Sequence, residues 1–265
     1  MTPGSDALVL QHQPRAELRG NNVLYTRCAK VPEDQFGSPK LEGLVSRMTD
    51  VMHETAGIGI AANQCHMPLQ VFVIEFEASN PRYAGLGFAD VPLQIFVNPR
   101  IVSASPECRS FWHGCLSCQG EKRGEVITYE KIGVEYRTVE GIQREEELSG
   151  MAAVIFQHEL RHLLGGTYLD RAVSDRLVSL ENLVEAFNSG KETRSRVLSS
   201  CEEAEGEEKK TGENESKSQN GLPHLIGDYK IGETLEEFYE RTGVPESEQK
   251  WIWTTEEENT KLGGT

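Results

Sequence analysis

The stretch Gln157-His158-Glu159-Leu160-Arg161-His162 is the most informative part of this sequence. On a helix, its two histidines lie one turn apart on the same face, so both can bind one metal ion. The glutamate beside His158 is placed to take a proton from water at such a metal. Met151, Val154 and Ile155 continue the histidine face with apolar residues. The face therefore points into the protein, where imidazoles need a partner, and a solvated helix is the less favoured interpretation.

A third protein ligand has to come from outside this helix, because a catalytic site keeps three protein ligands and one open position. One candidate is Cys115, within His113-Gly114-Cys115-Leu116-Ser117. Another is a residue downstream of the helix, as in zincin peptidases. Cys115 and Cys118 also form a C-x-x-C pair, but a zinc ribbon needs a second pair, which the other four cysteines do not form.

A glycine-rich run, Gly57-Ile58-Gly59-Ile60-Ala61-Ala62-Asn63-Gln64, precedes both blocks. It lacks a lysine and the spacings of nucleotide-binding loops, which argues against a phosphate site. Its small residues allow another backbone to approach closely. Gln64 then offers an amide donor at the end of the run.

Together, the three blocks resemble those of the peptide deformylase family, which carries G-I-G-[LI]-A-A-x-Q, E-G-C-L-S and Q-H-E-x-D-H in that order. The resemblance covers about residues 8–187 and includes Val97-Asn98-Pro99 and Arg123-Gly124-Glu125-Val126. It implies an α+β fold in which antiparallel strands surround a central metal-binding helix. It also implies a mitochondrial location, since formylated initiation belongs to bacteria and organelles and the long acidic extension is unusual for a compact bacterial enzyme.

The resemblance implies a metal-dependent amidase that removes the N-formyl group from peptides beginning with formyl-methionine. Cys115, His158 and His162 would bind one divalent metal ion, Fe²⁺ natively and Zn²⁺, Ni²⁺ or Co²⁺ as substitutes. Glu159 would accept the proton of the attacking water and deliver one to the leaving amine.

The remaining site residues are also implied by the resemblance. The Gln64 side chain and the backbone N–H of Leu116 would bind the oxyanion, and the peptide would add as a strand along Gly59 and residues 123–126, beginning at Arg123. A methionine side chain would fill an apolar pocket near the metal helix.

Three positions depart from the family pattern: His113 and Arg161 replace acidic residues, and Thr128 replaces an arginine. We interpret these changes as the coordinated replacement of a network of carboxylate and guanidinium groups around the metal ligands. They also leave open a second function, a deformylase-like protein with little activity that acts as a binding module in translation, for example on the ribosome. A zincin endopeptidase is disfavoured by the cysteine block.

The rest of the chain suggests three parts: a catalytic domain over residues 1–190, an acidic flexible linker over 191–221 and a C-terminal extension over 222–265. Thr234 and Glu237 have capping-box spacing before Phe238, and Trp251-Ile252-Trp253 forms an aromatic cluster. We expect this extension to pack on the catalytic domain, the alternative being a docking extension. Acidic residues outnumber basic ones 42 to 27, which disfavours direct nucleic-acid binding. No apolar run is long enough to span a membrane.

Helical periodicity predicts helices over residues 38–57, 149–164 and 173–187, with Leu177, Leu180 and Val184 of the last facing inward. Runs of β-branched or alternating residues predict strands over 69–75, 95–98 and 131–137. The glycine-rich residues 76–90 are predicted to form a surface loop.

Overall fold

The computed structural model describes residues 23–80, 83, 87–118, 122–172, 176–201 and 225–247. Within them, the helices are α1 (Pro39–Glu54), α2 (Gly150–Leu163), α3 (Leu180–Asn188) and α4 (Leu235–Thr242). The strands are β1 (Gly59–Ala61), β2 (Val71–Phe76), β3 (Val91–Ala104), β4 (Cys108–His113), β5 (Lys122–Tyr129), β6 (Lys131–Arg137), β7 (Gln143–Ser149), β8 (Leu177–Ser179) and β9 (Ser195–Leu198). None of the described helices has the length and apolar content needed to span a membrane.

Two antiparallel sheets surround α2, as the α+β expectation required. One has the strand order β1-β2-β3-β6-β7 and the other the order β8-β5-β4-β9. The helix is buried on nearly every side, and its apolar residues belong to the same buried cluster as Phe72, Phe96 and Phe111 of the two sheets. Burial of these apolar side chains stabilises the helix at the centre of the fold. The two histidines are therefore carried into the interior by the packing of α2.

The ends of the first two helices follow from local chemistry. The Ser38 hydroxyl accepts a hydrogen bond from the Leu41 N–H, and Pro39 occupies the first turn of α1. α2 ends where Gly165 adopts a left-handed conformation, with φ of 75°. Such a conformation favours glycine because it has no Cβ atom.

The third predicted helix begins later than the sequence suggests. Leu177 lies in β8, where it pairs with Gly124 of β5, and α3 begins only at Leu180. The Ser179 side chain accepts from the Asn182 N–H and caps the helix. Residues 173–175 lie outside the described part of the chain. The predicted inward orientation is also wrong, because Leu177, Leu180 and Val184 are 39%, 42% and 41% exposed.

The catalytic domain extends beyond residue 190. β9 pairs with β4, so Ser195–Leu198 belongs to a sheet, although the sequence assigns these residues to the linker. Cys108 and Cys201 form a disulfide that joins the start of β4 to the residues after β9. Sequence composition gave no reason to expect this pair. Residues 202–221 of the predicted linker lie outside the described residues.

Residues 225–247 pack against the catalytic domain. They contribute six buried apolar or aromatic side chains: Leu225, Ile226, Tyr229, Leu235, Phe238 and Tyr239. The predicted capping box is confirmed, since Thr234 and Glu237 bond to each other's backbone N–H groups at the start of α4. The predicted cluster of Trp251 and Trp253 lies outside the described residues.

Candidate active site

Three side chains from two elements form a compact group of metal-ligand atoms. One donor atom each from Cys115, His158 and His162 lies within 4.8 Å of the others. His162 Nδ1 donates to the Gly166 carbonyl at 3.1 Å, which leaves Nε2 free to bind a metal, 3.4 Å from Cys115 Sγ. A thiolate and two imidazoles are a ligand set suited to zinc, iron and similar divalent metals. The residues present therefore fit a divalent metal ion.

Cys115 lies in the turn that follows β4. Its carbonyl accepts from the Cys118 N–H at 3.1 Å, so the two cysteines face each other across this turn. A second hydrogen bond, between the Cys115 and Cys118 side chains, acts together with burial to raise the pKa of the Cys115 thiol. A coordinating thiol is deprotonated, so metal binding at this site releases a proton.

His113, at the end of β4, is a polar neighbour of the metal ligand His158. Its Nδ1 lies 3.0 Å from Nδ1 of His158, and the two rings stack in nearly parallel planes. Burial, followed by the effect of His158, lowers the pKa of His113 well below its usual value. A neutral His113 can accept a hydrogen bond from His158 Nδ1–H. This bond leaves Nε2 of His158 available for a metal.

Glu159 is a buried carboxyl group beside the ligands. Burial raises its pKa well above the usual value for glutamate. Its Oε2 atom has no hydrogen-bond partner among the described residues. A raised pKa makes the protonated form of a buried carboxyl group more accessible, which suits it to accepting a proton from water and passing it on.

Gly59 makes room for this carboxyl group. A Cβ atom on residue 59 would lie 2.5 Å from Glu159 Oε1 and 2.8 Å from the Ile155 side chain. Both distances are shorter than a normal van der Waals contact. The glycine thus allows β1 to pass directly over the metal helix.

The Gln64 amide is held in one orientation. Its Oε1 accepts from the Ala61 N–H at 2.7 Å, so its Nε2 points towards Ser117 Oγ at 3.1 Å and Cys115 Sγ at 3.5 Å. Leu116, between these two residues, lines the same cavity. The structure thus brings the amide donor and the turn that contains the Leu116 N–H to one side of the ligand group.

A cavity of about 570 Å³ opens beside the ligands. Its lining includes the apolar side chains Met151, Val154 and Ile155 of α2, as well as Gly59 and Arg123. The Arg123 guanidinium lies over Gly114, where a Cβ atom would approach it to 2.6 Å. A large, mostly apolar cavity with a few convergent polar groups is the usual form of a substrate site.

The backbone around Arg123 is not available for strand addition as expected. β8 pairs with residues Lys122 to Gly124 of β5, and the Glu125 N–H donates to the Arg176 carbonyl. β4 pairs with the other side of β5 from Gly124 to Tyr129. Within the described residues, β1 at Gly59 pairs with β2 on one side and with no strand on the other. An added peptide strand can therefore pair with β1, whereas Gly124 and Glu125 have partners on both sides and Arg123 has β8 on one side.

Comparison with known proteins identifies the family. The family model described as polypeptide deformylase matches residues 17–177, more than half of the sequence. This chain belongs to the peptide deformylase family. The recognition made from the three sequence blocks is therefore confirmed, as is the fold class.

Individual relatives of the deformylase family match over most of their length. Peptide deformylase of Leptospira biflexa is 35% identical over 158 residues, which cover 60% of this chain and 87% of that protein. The Arabidopsis thaliana protein named peptide deformylase 1A, chloroplastic/mitochondrial, is 30% identical over 176 residues, or 64% of this chain and 65% of that protein. The Met-Ala-Ser-bound class I type b peptide deformylase of Acinetobacter baumannii is 33% identical, with a TM-score of 0.54 over 57% of this chain and 93% of that one.

The three departures from the deformylase pattern do not form one network. His113 contacts His158, whereas Arg161 pairs with Asp170 at 3.5 Å and Thr128 donates to the Arg109 carbonyl at 3.4 Å. In the part of the chain that the structure describes, no hydrogen bond or ion pair joins any two of the three. The coordinated replacement of a network, expected from the sequence, is therefore wrong. Of the three side chains, that of His113 contacts a metal ligand.

Two residues that position the metal helix were not identified as functional from the sequence. Asn63 Nδ2 donates to the His162 carbonyl at 2.8 Å. The Gln157 amide exchanges two hydrogen bonds of 2.9 Å with the backbone of Tyr129 in β5. Both belong to the quoted motifs, but their partners are 99 and 28 residues away along the chain. The presence of Asn63 and Gln157 inside the motifs could have suggested that each amide makes a buried hydrogen bond. The sequence could not have shown which backbone groups they bond to.

Proposed function

We propose that this chain is a metal-dependent peptide deformylase that hydrolyses the N-formyl group of peptides beginning with formyl-methionine. The observation that carries the proposal is the position of Glu159, a buried carboxyl group beside the Cys115, His158 and His162 ligand group at the wall of the cavity. Membership of the deformylase family supports the same reaction.

A divalent metal bound by Cys115, His158 and His162 would supply Lewis acidity, which lowers the pKa of water and polarises a carbonyl group. Glu159 accepts a proton from the water that attacks the formyl carbon. As the C–N bond breaks, Glu159 delivers a proton to the leaving amine, and formate is the second product. Burial suits this carboxyl group to holding the proton between the two steps, because it raises the pKa of Glu159.

Two donors suit the negative charge that develops on the formyl oxygen. The fixed Gln64 Nε2 faces the ligand group, and the Leu116 backbone lies in the adjacent turn. Donors that are already oriented stabilise a developing oxyanion without reorganisation. In this proposal the peptide backbone pairs with β1 at Gly59, and the methionine side chain contacts Ile155 and Val154.

The choice of metal and the cellular context extend the proposal. The donor set is compatible with Fe²⁺ as the native ion and with Zn²⁺, Ni²⁺ or Co²⁺ as substitutes.

A mitochondrial location suits a deformylase because its substrates come from formylated initiation, and an Arabidopsis relative is named chloroplastic/mitochondrial. Contact with the ribosome would bring the enzyme to emerging N-termini. Import of the tagged protein into mitochondria and co-sedimentation with mitochondrial ribosomes test these two points.

The decisive experiment measures formate release from formyl-Met-Ala-Ser by the metal-loaded protein, alongside cleavage of an internal bond in an acetylated peptide. We expect formate release and no internal cleavage. Glu159→Gln should retain its metal and lose about 10²–10⁴-fold in kcat. Glu42→Gln, which alters an exposed carboxyl group on α1, is the matched control. Metal-loaded wild-type protein without formate release would instead support the deformylase-like binding module.

A further inference from the structure

We propose that α3 forms a second wall of the substrate cavity and selects peptides with an apolar side chain at one of the two positions after formyl-methionine. This inference rests on the proposed function and adds a substrate preference to it. It follows from the exposure of α3, from the way the helix is held, and from the backbone positions that β8 covers.

One face of α3 is apolar and borders the same cavity as the metal ligands. Leu180, Leu183, Val184 and Phe187 all line this cavity. Their spacing of three and four residues places them on one side of a helix. Leu183 is only 3% exposed and anchors the helix, whereas Leu180 and Val184 are 42% and 41% exposed. Two large aliphatic side chains thus remain open to a ligand in the cavity.

The helix is fixed at both ends. Arg176, before α3, pairs with Glu125 of β5 at 2.6 Å and with Glu192, after α3, at 2.6 Å. The Trp112 indole N–H of β4 donates to the Thr193 carbonyl at 3.2 Å. These contacts tie both ends of α3 to the sheet that precedes the metal ligand Cys115. The apolar face is therefore a positioned surface, and a peptide need not order it on binding.

The sheet pairing explains why a peptide would need this surface. Because β8, the Arg176 carbonyl and β4 already pair with both sides of Gly124 and Glu125, a bound peptide pairs with the open edge of β1 instead. In an extended peptide, successive side chains point to opposite sides, so one of the first two side chains after formyl-methionine faces α3. Hydrogen bonds between the peptide and a second strand would otherwise add to the binding affinity. In their place, the exposed side chains of α3 offer apolar contacts to the side chains of the peptide.

The apolar face of α3 lies outside the region that the family model matches. The family model matches residues 17–177 and ends before Leu180. The residues of the ligand group lie inside the match, whereas the residues of the apolar face lie beyond it. The preference we infer therefore belongs to α3 of this chain and not to the three shared sequence blocks.

The test compares kcat/KM for formyl-Met-Leu-Leu and formyl-Met-Ser-Ser with the metal-loaded full chain. We expect a preference of about tenfold for the leucine peptide, as expected from burying most of one aliphatic side chain. The double variant Leu180→Ser/Val184→Ser should reduce this ratio to about threefold or less. Ile142→Ser, which replaces a side chain that is 51% exposed and lies outside the cavity lining, should keep the wild-type ratio.

A binding measurement separates this inference from the proposed function. Calorimetry gives the dissociation constants of the product peptides Met-Leu-Leu and Met-Ser-Ser for the same three proteins. If neither formyl peptide is hydrolysed, the proposed function fails, and the ratio of dissociation constants still decides whether α3 selects apolar residues. Equal values for both peptides in wild type, or an unchanged preference in the double variant, would overturn the inference. Circular dichroism confirms that the double variant is folded.

Discussion

The Tyr239 hydroxyl of α4 should contribute far more to stability than a single oxygen atom usually does. It accepts a hydrogen bond from the Cys28 N–H at 3.2 Å and donates one to the Leu163 carbonyl. Both bonds are buried, and Leu163 directly follows the metal ligand His162. Tyr239→Phe keeps the ring and removes both bonds.

The expected cost follows from the two backbone groups that lose their partner. A buried polar group without a hydrogen bond costs about 1–3 kcal/mol, so the free energy of unfolding should fall by about 2–6 kcal/mol. For a chain of this size, 1 kcal/mol corresponds to about 2–4 °C in Tm. Urea and thermal unfolding should be measured at one fixed metal concentration, because bound metal stabilises the folded state.

Tyr136→Phe is the matched control. The Tyr136 hydroxyl also donates a hydrogen bond, at 2.9 Å, but to the partly buried side chain of Glu146. Loss of that bond should cost about 1 kcal/mol or less because water can replace the partner. If Tyr239→Phe unfolds within about 0.5 kcal/mol of wild type, the hydroxyl does not join α4 to the end of α2 as we infer.

Three further predictions concern the active site. Cys115→Ser should weaken the binding of zinc or iron, whereas Cys118→Ser should keep the metal content of wild type; equal losses in both would contradict the ligand assignment. Gln64→Leu should lower kcat by about 10²-fold as it removes one oxyanion donor, and an effect on KM alone would exclude that role. His113→Ala should weaken metal binding by about 10–100-fold, because the His158 N–H loses its acceptor. His113→Asn, whose Oδ1 can accept instead, should restore most of it, and equal affinities for both variants would show that the acceptor is unimportant.

The metal site could be predicted because its chemistry is local in sequence. His158 and His162 lie one turn apart on a helix, and the block around Cys115 is similar to one in a known family. The contact between His113 and His158 could not be predicted in the same way. The two residues are 45 positions apart, and only the packing of β4 on α2 brings their rings together.

The errors in the fold have a common cause, which is strand pairing between distant segments. Residues 177–179 have a helical pattern of apolar residues, but the edge of β5 recruits them as β8. Ser195–Leu198 lies between a polar stretch and an acidic one, yet it completes the second sheet beside β4. β7 is rich in glutamate and lacks an alternating apolar pattern, because it is an edge strand with mostly exposed residues. Each case depends on a neighbouring strand, which local sequence does not specify.

The packing of α4 on α2 has a consequence for biosynthesis. The Tyr239 hydroxyl bonds to Leu163, 76 residues earlier in the chain. During translation, both histidine ligands therefore leave the ribosome well before the segment that covers the C-terminal end of their helix. Domains form from the N-terminus onwards as they are synthesised, and incomplete ones expose apolar surface. The nascent protein thus completes its core, and gains a rigid metal-binding helix, only after the residues of α4 have emerged.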